Sequence, residues 1–304
     1  MSDQKIQVDI SVATYKRPLL LSTMLESLAM QVLPPTTFMR IIVVDNDVNE
    51  SARGIVEKFA NSCKWPVVYD VEPEQNIALT RNRGLSHTTG NFVVFIDDDE
   101  YADPNWLGHL LQTSAEYKAD VVFGPVLSVY PENTPRWILD GGFFERPRYI
   151  SGSSRPHGAT NNTLIKGSCL NGHQLWFNPA FGLTGGEDVD FFLRLAQRGA
   201  RLIWCDEALV YEPVPFERMT ISWLTGRALR GGQVVGRIFK RPLPFVQKSM
   251  WFVQRLIYLV IALIALPFAW VCGRARGVKV LQKVYSSFGQ ITSLGSIYYR
   301  EYKQ

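Results

Sequence analysis

Asn91-Phe92-Val93-Val94-Phe95-Ile96-Asp97-Asp98-Asp99-Glu100 is an apolar run that ends in four consecutive acids. A run so continuously apolar reads as a strand covered on both faces, and its acidic end sits where open α/β sheets bind ligands. Adjacent carboxylates repel one another unless a cation offsets their charge. Hard cations take oxygen ligands, and Mg²⁺ characteristically combines one or two carboxylates with the phosphates of a substrate. The segment therefore predicts a buried strand that delivers Mg²⁺ or Mn²⁺ to a phosphorylated ligand. A solvated acidic turn is the plainer alternative.

Working outward, residues 8–13, 40–44 and 67–71 are further apolar runs, and residues 19–32, 51–59 and 78–87 carry helical patterns. Alternation of this kind implies right-handed crossovers and a mostly parallel sheet flanked by helices. Polar groups close two more runs, Thr14-Tyr15-Lys16-Arg17 and Asp45-Asn46-Asp47. With the acid cluster they describe a nucleotide site at the carboxyl edge of the sheet. No G-x-G-x-x-G follows the first run and no G-x-x-x-x-G-K-[ST] occurs, which disfavours a dinucleotide dehydrogenase or a P-loop NTPase. The phosphate must be held by metal and arginines. Arg81 begins a helical stretch where an anion is welcome, although an exposed helix arginine is the competing reading.

Residues 131–158 are rich in Pro and Gly and contain Trp137, Phe143, Phe144 and Tyr149, the pattern of a long loop or flap. Beyond it, Leu183-Thr184-Gly185-Gly186-Glu187-Asp188-Val189-Asp190-Phe191-Phe192 predicts a helix that starts at the acids. The glycines permit close backbone approach, and carboxylates are stabilised at a helix amino terminus. Simple capping explains the same acids.

The chain has 304 residues, of which 46% are hydrophobic and 20% charged, the composition of an ordinary globular protein. A formal charge of +4 conceals a split: residues 1–215 carry 18 Lys/Arg against 26 Asp/Glu, and residues 216–304 carry 14 against 2. A basic, aromatic tail suits nucleic acid or an anionic membrane. Residues 256–272, seventeen without a charge, decide for membrane and against nucleic acid, and Arg218, Arg227, Arg230, Arg237, Lys240 and Arg241 before them form a cationic cluster that attracts anionic headgroups. Seventeen is the short limit for a span, Pro267 lies inside, and cations flank both ends, so an in-plane or re-entrant helix fits as well as a crossing. The amino terminus has no apolar signal core, which leaves the catalytic part on the cytoplasmic side. Cys63, Cys169, Cys205 and Cys272 form no Cys-x-x-Cys pair and announce neither zinc nor disulfides.

In order, V-A-T-Y-K-R-P, V-V-D-N-D, A-L-T-R-N-R-G, F-I-D-D-D-E and G-G-E-D-V-D-F-x-x-R resemble the family 2 inverting glycosyltransferases of GT-A fold, over about residues 8–212. F-I-D-D-D-E and Y-E-P-V-P-F-E-R are similar to the succinoglycan-type exopolysaccharide glucosyltransferases of bacteria. The resemblance implies a Rossmann-like catalytic domain over residues 1–215 and a basic, membrane-associated helical tail over 216–304. It makes Thr14, Tyr15, Arg17, Asp45, Arg81 and Asp98 nucleotide-sugar residues, Asp99 the metal carboxylate with Asp97 behind it, Asp188 the catalytic base and Glu187 an acceptor contact. Many members place a histidine where this chain has Glu212, so a metal role for Glu212 departs from the pattern. The implied reaction moves a hexose, glucose foremost, from a UDP-sugar to a polyprenyl-diphosphate-linked saccharide or growing polysaccharide at the cytoplasmic membrane. Processive synthases share this core but carry Q-x-x-R-W after the base motif, and here the nearest string, Asn133-Thr134-Pro135-Arg136-Trp137, precedes it. A non-catalytic nucleotide-sugar-binding subunit is the remaining alternative.

Overall fold

Val, Ile and Phe, which suit a pleated and buried surface, supply the strands of the computed structural model, which describes residues 5–171, 176–240, 242–295 and 298–299. The strands are β1 (Ile6–Thr14), β2 (Thr37–Asp45), β3 (Val67–Val71), β4 (Phe92–Phe95), β5 (Tyr101–Ala102), β6 (Val121–Phe123), β7 (Val126–Val129), β8 (Thr163–Lys166), β9 (Leu202–Trp204) and β10 (Val210–Pro213). The helices are α1 (Pro18–Ala29), α2 (Arg53–Ala60), α3 (Ile77–Ser86), α4 (Trp106–Glu116), α5 (Arg136–Gly141), α6 (Glu187–Gln197), α7 (Ile221–Val235), α8 (Phe245–Val271) and α9 (Arg274–Thr292).

Among the described residues the main sheet has the order β3-β2-β1-β4-β8-β6-β9. Its strands are parallel except β8, which runs against both β4 and β6. A smaller sheet, β5-β10-β7, stands beside it. This is the α/β architecture with a mostly parallel sheet that the alternation predicts; the reversed β8 and the second sheet add to it.

Successive strand residues point to opposite faces, and the buried residues sort accordingly. Val94 and Ile96 join Ile10, Val12, Leu25 and Trp106 on one side, while Val93 and Phe95 join Phe177, Phe191 and Phe192 on the other. A third cluster gathers Ile138, Phe144, Val214, Met219, Leu224 and Val278. Residues 131–158 are therefore not a free flap. Trp137 and Ile138 lie on α5, and Phe144 stacks on Trp223 with centroids 5.5 Å apart.

The region beyond residue 215 shares this third core with the catalytic unit. α7 and α9 pack so closely that a Cβ on Gly289 would lie 2.1 Å from the Leu229 carbonyl oxygen. α9 in turn carries α8, of which only Trp251 and Ala262 are buried. Arg241, one of the cations read as facing the membrane, lies outside the described residues.

Candidate active site

Register brings the polar strand ends together. β1 pairs Thr14 with Asp45 of β2 and Ser11 with Phe95 of β4, so three further residues along each strand set Thr14 level with Asp98. Thr14 Oγ1 donates to Asp98 Oδ2 at 2.8 Å, and Arg17 Nη1 donates to Asp98 Oδ1 at 3.2 Å and to Asp99 Oδ2 at 3.1 Å. Tyr15, half-buried beside them, lies under the Lys16 ammonium, 4.9 Å from its ring centre. Burial pushes the Asp98 carboxyl up to about 6 against the pull of Arg17. Glu100, also buried, accepts from the Asp97 backbone N–H at 3.0 Å and from Asn161 at 3.2 Å, which ties the acidic turn in place. Its burial, reinforced by the Asp97 charge, raises it well above the carboxylate range.

Asp45 is fully buried. It accepts from the backbone of Asp47 at 3.0 Å and of Ala52 at 2.8 Å, and from the Tyr69 hydroxyl at 3.1 Å. It thereby holds the loop after β2.

On the other side of the cleft, Asn76 caps α3 by accepting from Ala78 and Leu79, and α3 buries Arg81. An exposed helix arginine is thus ruled out. Arg81 is hydrogen-bonded to Glu187 Oε1 and lies 3.6 Å from Asp97, so one guanidinium bridges the acidic turn and the amino terminus of α6. Gly185 and Gly186, with φ of 78° and 97°, adopt the left-handed conformation that delivers the chain to Glu187, where α6 begins as the sequence predicts. Glu187 Oε2 is buried without a hydrogen-bond partner. Asp188 follows, its carboxyl raised to about 7 by burial first and by the Glu187 charge second, with Arg81 opposing.

Two arginines invisible as site residues in the sequence complete the cleft. Arg218 Nη2 donates to Asp99 Oδ2 at 2.9 Å and its Nη1 to Glu212 Oε1 at 2.8 Å, while Arg146 bonds the other oxygen of Glu212. Arg218 was expected among the membrane-facing cations, and its place is the acid cluster instead. Arg237, expected there too, donates to Thr184 Oγ1 at 2.9 Å and the Ala180 carbonyl at 3.0 Å, binding the end of α7 to the glycine turn. Arg218 closes the Y-E-P-V-P-F-E-R string that begins at Tyr211 and includes Glu212, but nothing in that string points to Asp99, and Arg146 carries no motif or periodicity that points to Glu212. Among the described residues, no three His, Cys, Asp or Glu side chains form a ready metal cage.

An acid-lined cleft beneath arginines, at the carboxyl edge of a mostly parallel sheet and with a raised carboxylate on its far wall, suits transfer from a phosphorylated donor. Residues 9–169 match the model of glycosyl transferase family 2. The chain is 38% identical over 239 residues to the succinoglycan biosynthesis protein ExoM of Rhizobium meliloti, covering 78% of this chain and 77% of that one. Its fold is similar to that of mannosyltransferase PcManGT from Pyrobaculum calidifontis, solved with GDP-Man and Mn²⁺ (TM-score 0.65, 17% identity, 95% of this chain and 87% of that one). It is also similar to Staphylococcus aureus TarS 1-349, solved with UDP-GlcNAc (TM-score 0.58, 17% identity, 94% and 92% covered). With the five motifs in order and over half its length matched by the family model, the chain belongs to glycosyltransferase family 2 and has the GT-A fold.

Proposed function

We propose that the protein is a metal-dependent inverting hexosyltransferase that uses a UDP-sugar, glucose foremost, and builds a β-glycosidic bond on a lipid-linked or growing surface polysaccharide. The observation that carries this reading is the Arg81 bridge between Asp97 and the α6 terminus, which couples a donor side to a carboxylate poised near neutrality. Arg17 and Asp98, with Thr14, Tyr15 and Asp45 around them, hold the nucleotide. Residues 1–215 form the catalytic domain, and residues 216–304 attach it to the cytoplasmic face of the membrane and lend it Arg218.

The donor set fits Mg²⁺ or Mn²⁺. It is all oxygen, and both arginines on Asp99 bond to Oδ2, so Oδ1 carries neither. Asp99 would hold the ion, with Asp97 behind it and Glu212 able to join once its arginines turn away. When bound, such an ion neutralises charge on the diphosphate leaving group.

The chain's own residues do the rest. Asp188 Oδ removes the acceptor hydroxyl proton as that oxygen attacks the anomeric carbon. The carbon–oxygen bond to the diphosphate breaks, its electron pair stays with UDP, and one displacement turns an α-linked donor into a β-glycoside. Glu187 Oε2 is a buried acceptor that lacks a partner, a state costing about 1–3 kcal/mol. An acceptor hydroxyl relieves it. Arg17 and Arg218, which neutralise Asp99 before the donor arrives, turn to the diphosphate.

The succinoglycan name of the 38% identical relative and the long apolar helix α8 support a polyprenyl-diphosphate-linked acceptor. The UDP-GlcNAc of TarS and the GDP-Man of PcManGT support a nucleotide-sugar donor, and the choice of UDP rests on the family resemblance. Incubation with UDP-glucose, UDP-galactose, UDP-GlcNAc and GDP-mannose, each with lipid-linked saccharides and Mg²⁺ or Mn²⁺, tests the reading. UDP release coupled to a lengthened lipid-linked product is expected with a UDP-hexose. Turnover with GDP-mannose alone, or equal turnover in EDTA, would overturn the donor or the metal assignment.

A further inference from the structure

We propose that α8 lies in the plane of an anionic lipid surface and does not cross the bilayer. This rests on the reading of residues 216–304 as the membrane attachment and adds its geometry. α8 is 27 residues long, about 40 Å at 1.5 Å per residue, and is long and apolar enough to span. What surrounds it argues otherwise.

Met250, Val253, Ile257, Val260, Ile264 and Phe268 recur at helical spacing and are 48–69% exposed, and Leu256, Tyr258, Ile261 and Leu263 flank them, so α8 presents a broad outward apolar face centred on this stripe. The opposite side, with Trp251 and Ala262, is covered by α9. α9 returns after Gly273 and is docked along its length, first on α5 and the third core and then on α7. Arg274 lies 4.4 Å over the Trp137 ring of α5, Val278 enters the third core, and Gln282 reaches the Leu224 carbonyl at 3.5 Å. Near its far end Gly289 meets the backbone of α7. An upright α8 would have to break from α9 or draw it into hydrocarbon, and α9 exposes Arg274, Arg276, Lys279 and Lys283. Charges at the bilayer centre are costly and are avoided unless paired. Lying flat, α8 sinks its stripe below the headgroups and leaves these cations among them.

The occupant of the stripe is lipid and not a second copy of the chain. No Asp or Glu occurs between Glu217 and Glu301. Two such tails face to face would oppose like charge, whereas anionic headgroups offset it.

Flotation of the full chain with phosphatidylethanolamine/phosphatidylglycerol vesicles, against phosphatidylcholine alone, tests the attachment. Impermeant maleimide labelling of Cys272 and of a Gln247→Cys variant in intact spheroplasts tests the geometry. Flotation only with anionic vesicles, and labelling of both ends only after permeabilisation, is expected. The Ile257→Lys/Ile264→Lys double variant should float ~10-fold less or worse, equivalent to about 1.4 kcal/mol, with UDP binding retained as proof of folding. Labelling of one end in intact cells would overturn the in-plane geometry while leaving attachment standing. Absence of flotation would overturn attachment itself. A double variant that floats normally but loses self-association would assign the stripe to a second copy.

Discussion

Asp188 is asked to be a base while burial and the neighbouring Glu187 hold its carboxyl near 7, against the attraction of Arg81. Below that value it is protonated and cannot accept the acceptor's proton, so kcat/KM for transfer should rise with pH through about 7. The Asp188→Asn variant should lose this limb and at least ~10²-fold in transfer, yet bind donor normally by calorimetry. Collapse of donor binding would make the role structural. The same shift has a stability cost of definite sign. A carboxyl raised in the folded state is disfavoured as pH climbs above its unfolded value, so Asp188→Asn should melt higher than the wild type at pH 8, with the gain vanishing in acid. Asp99→Asn should abolish metal-dependent donor binding, and unchanged affinity there would sink the metal claim. Most of these side chains were legible as candidates because they punctuate periodic runs, Thr14, Asp98 and Asp99 where strands end and Glu187 and Asp188 where α6 begins; Arg81, which the sequence sets at a helix start, lies in the middle of α3 instead. The pairing of Arg218 with Asp99 was not legible, since 119 residues separate the two and the sequence around Arg218 links it only to the nearby Glu212. Tertiary contact alone assigns it.

At the scale of elements, β1 to β4 and α1 to α3 follow the apolar runs and helical patterns to within a few residues. There the local pattern and the global fold agree. β8 shows the limit of such reading: Thr163-Leu164-Ile165-Lys166 announces a strand, but its antiparallel direction depends on how a long intervening segment returns. The small sheet is likewise made by distant pairing, Tyr211 opposite Tyr101 with their rings stacked 5.2 Å apart. α5 hid in a Pro/Gly-rich stretch because its six residues are too few to display a period. The union of α7 and α9 depends on glycine, and Gly289→Leu must force the helices apart. That variant should unfold at lower denaturant, with a loss of about 1–3 kcal/mol. Unaltered stability would mean that α9 is not docked as described. Because α7 follows directly on Arg218, the variant should weaken donor binding as well.

Over the whole molecule, the division into an acidic front and a basic, apolar back was legible from composition, because charge counts need no knowledge of contacts. Its packing was not. The tail contributes Val278 to a core shared with α5, Phe144 and Val214, Arg218 to the acid cluster and Arg237 to the turn before α6. Tail and catalytic unit therefore respond to one another, and truncation after residue 241 should expose Leu224 and Phe144 and lower the melting temperature of what remains. A truncated chain as stable as the full one would contradict the shared core. The central claim is inverting transfer with Asp188 as base. It is tested most directly by NMR of the anomeric linkage in product made from α-linked UDP-glucose, with Asp188→Asn alongside. A β-glycoside from the wild type and no product from a variant that still binds UDP-glucose is the predicted result; an α-glycoside, or undiminished transfer by the variant, would contradict it.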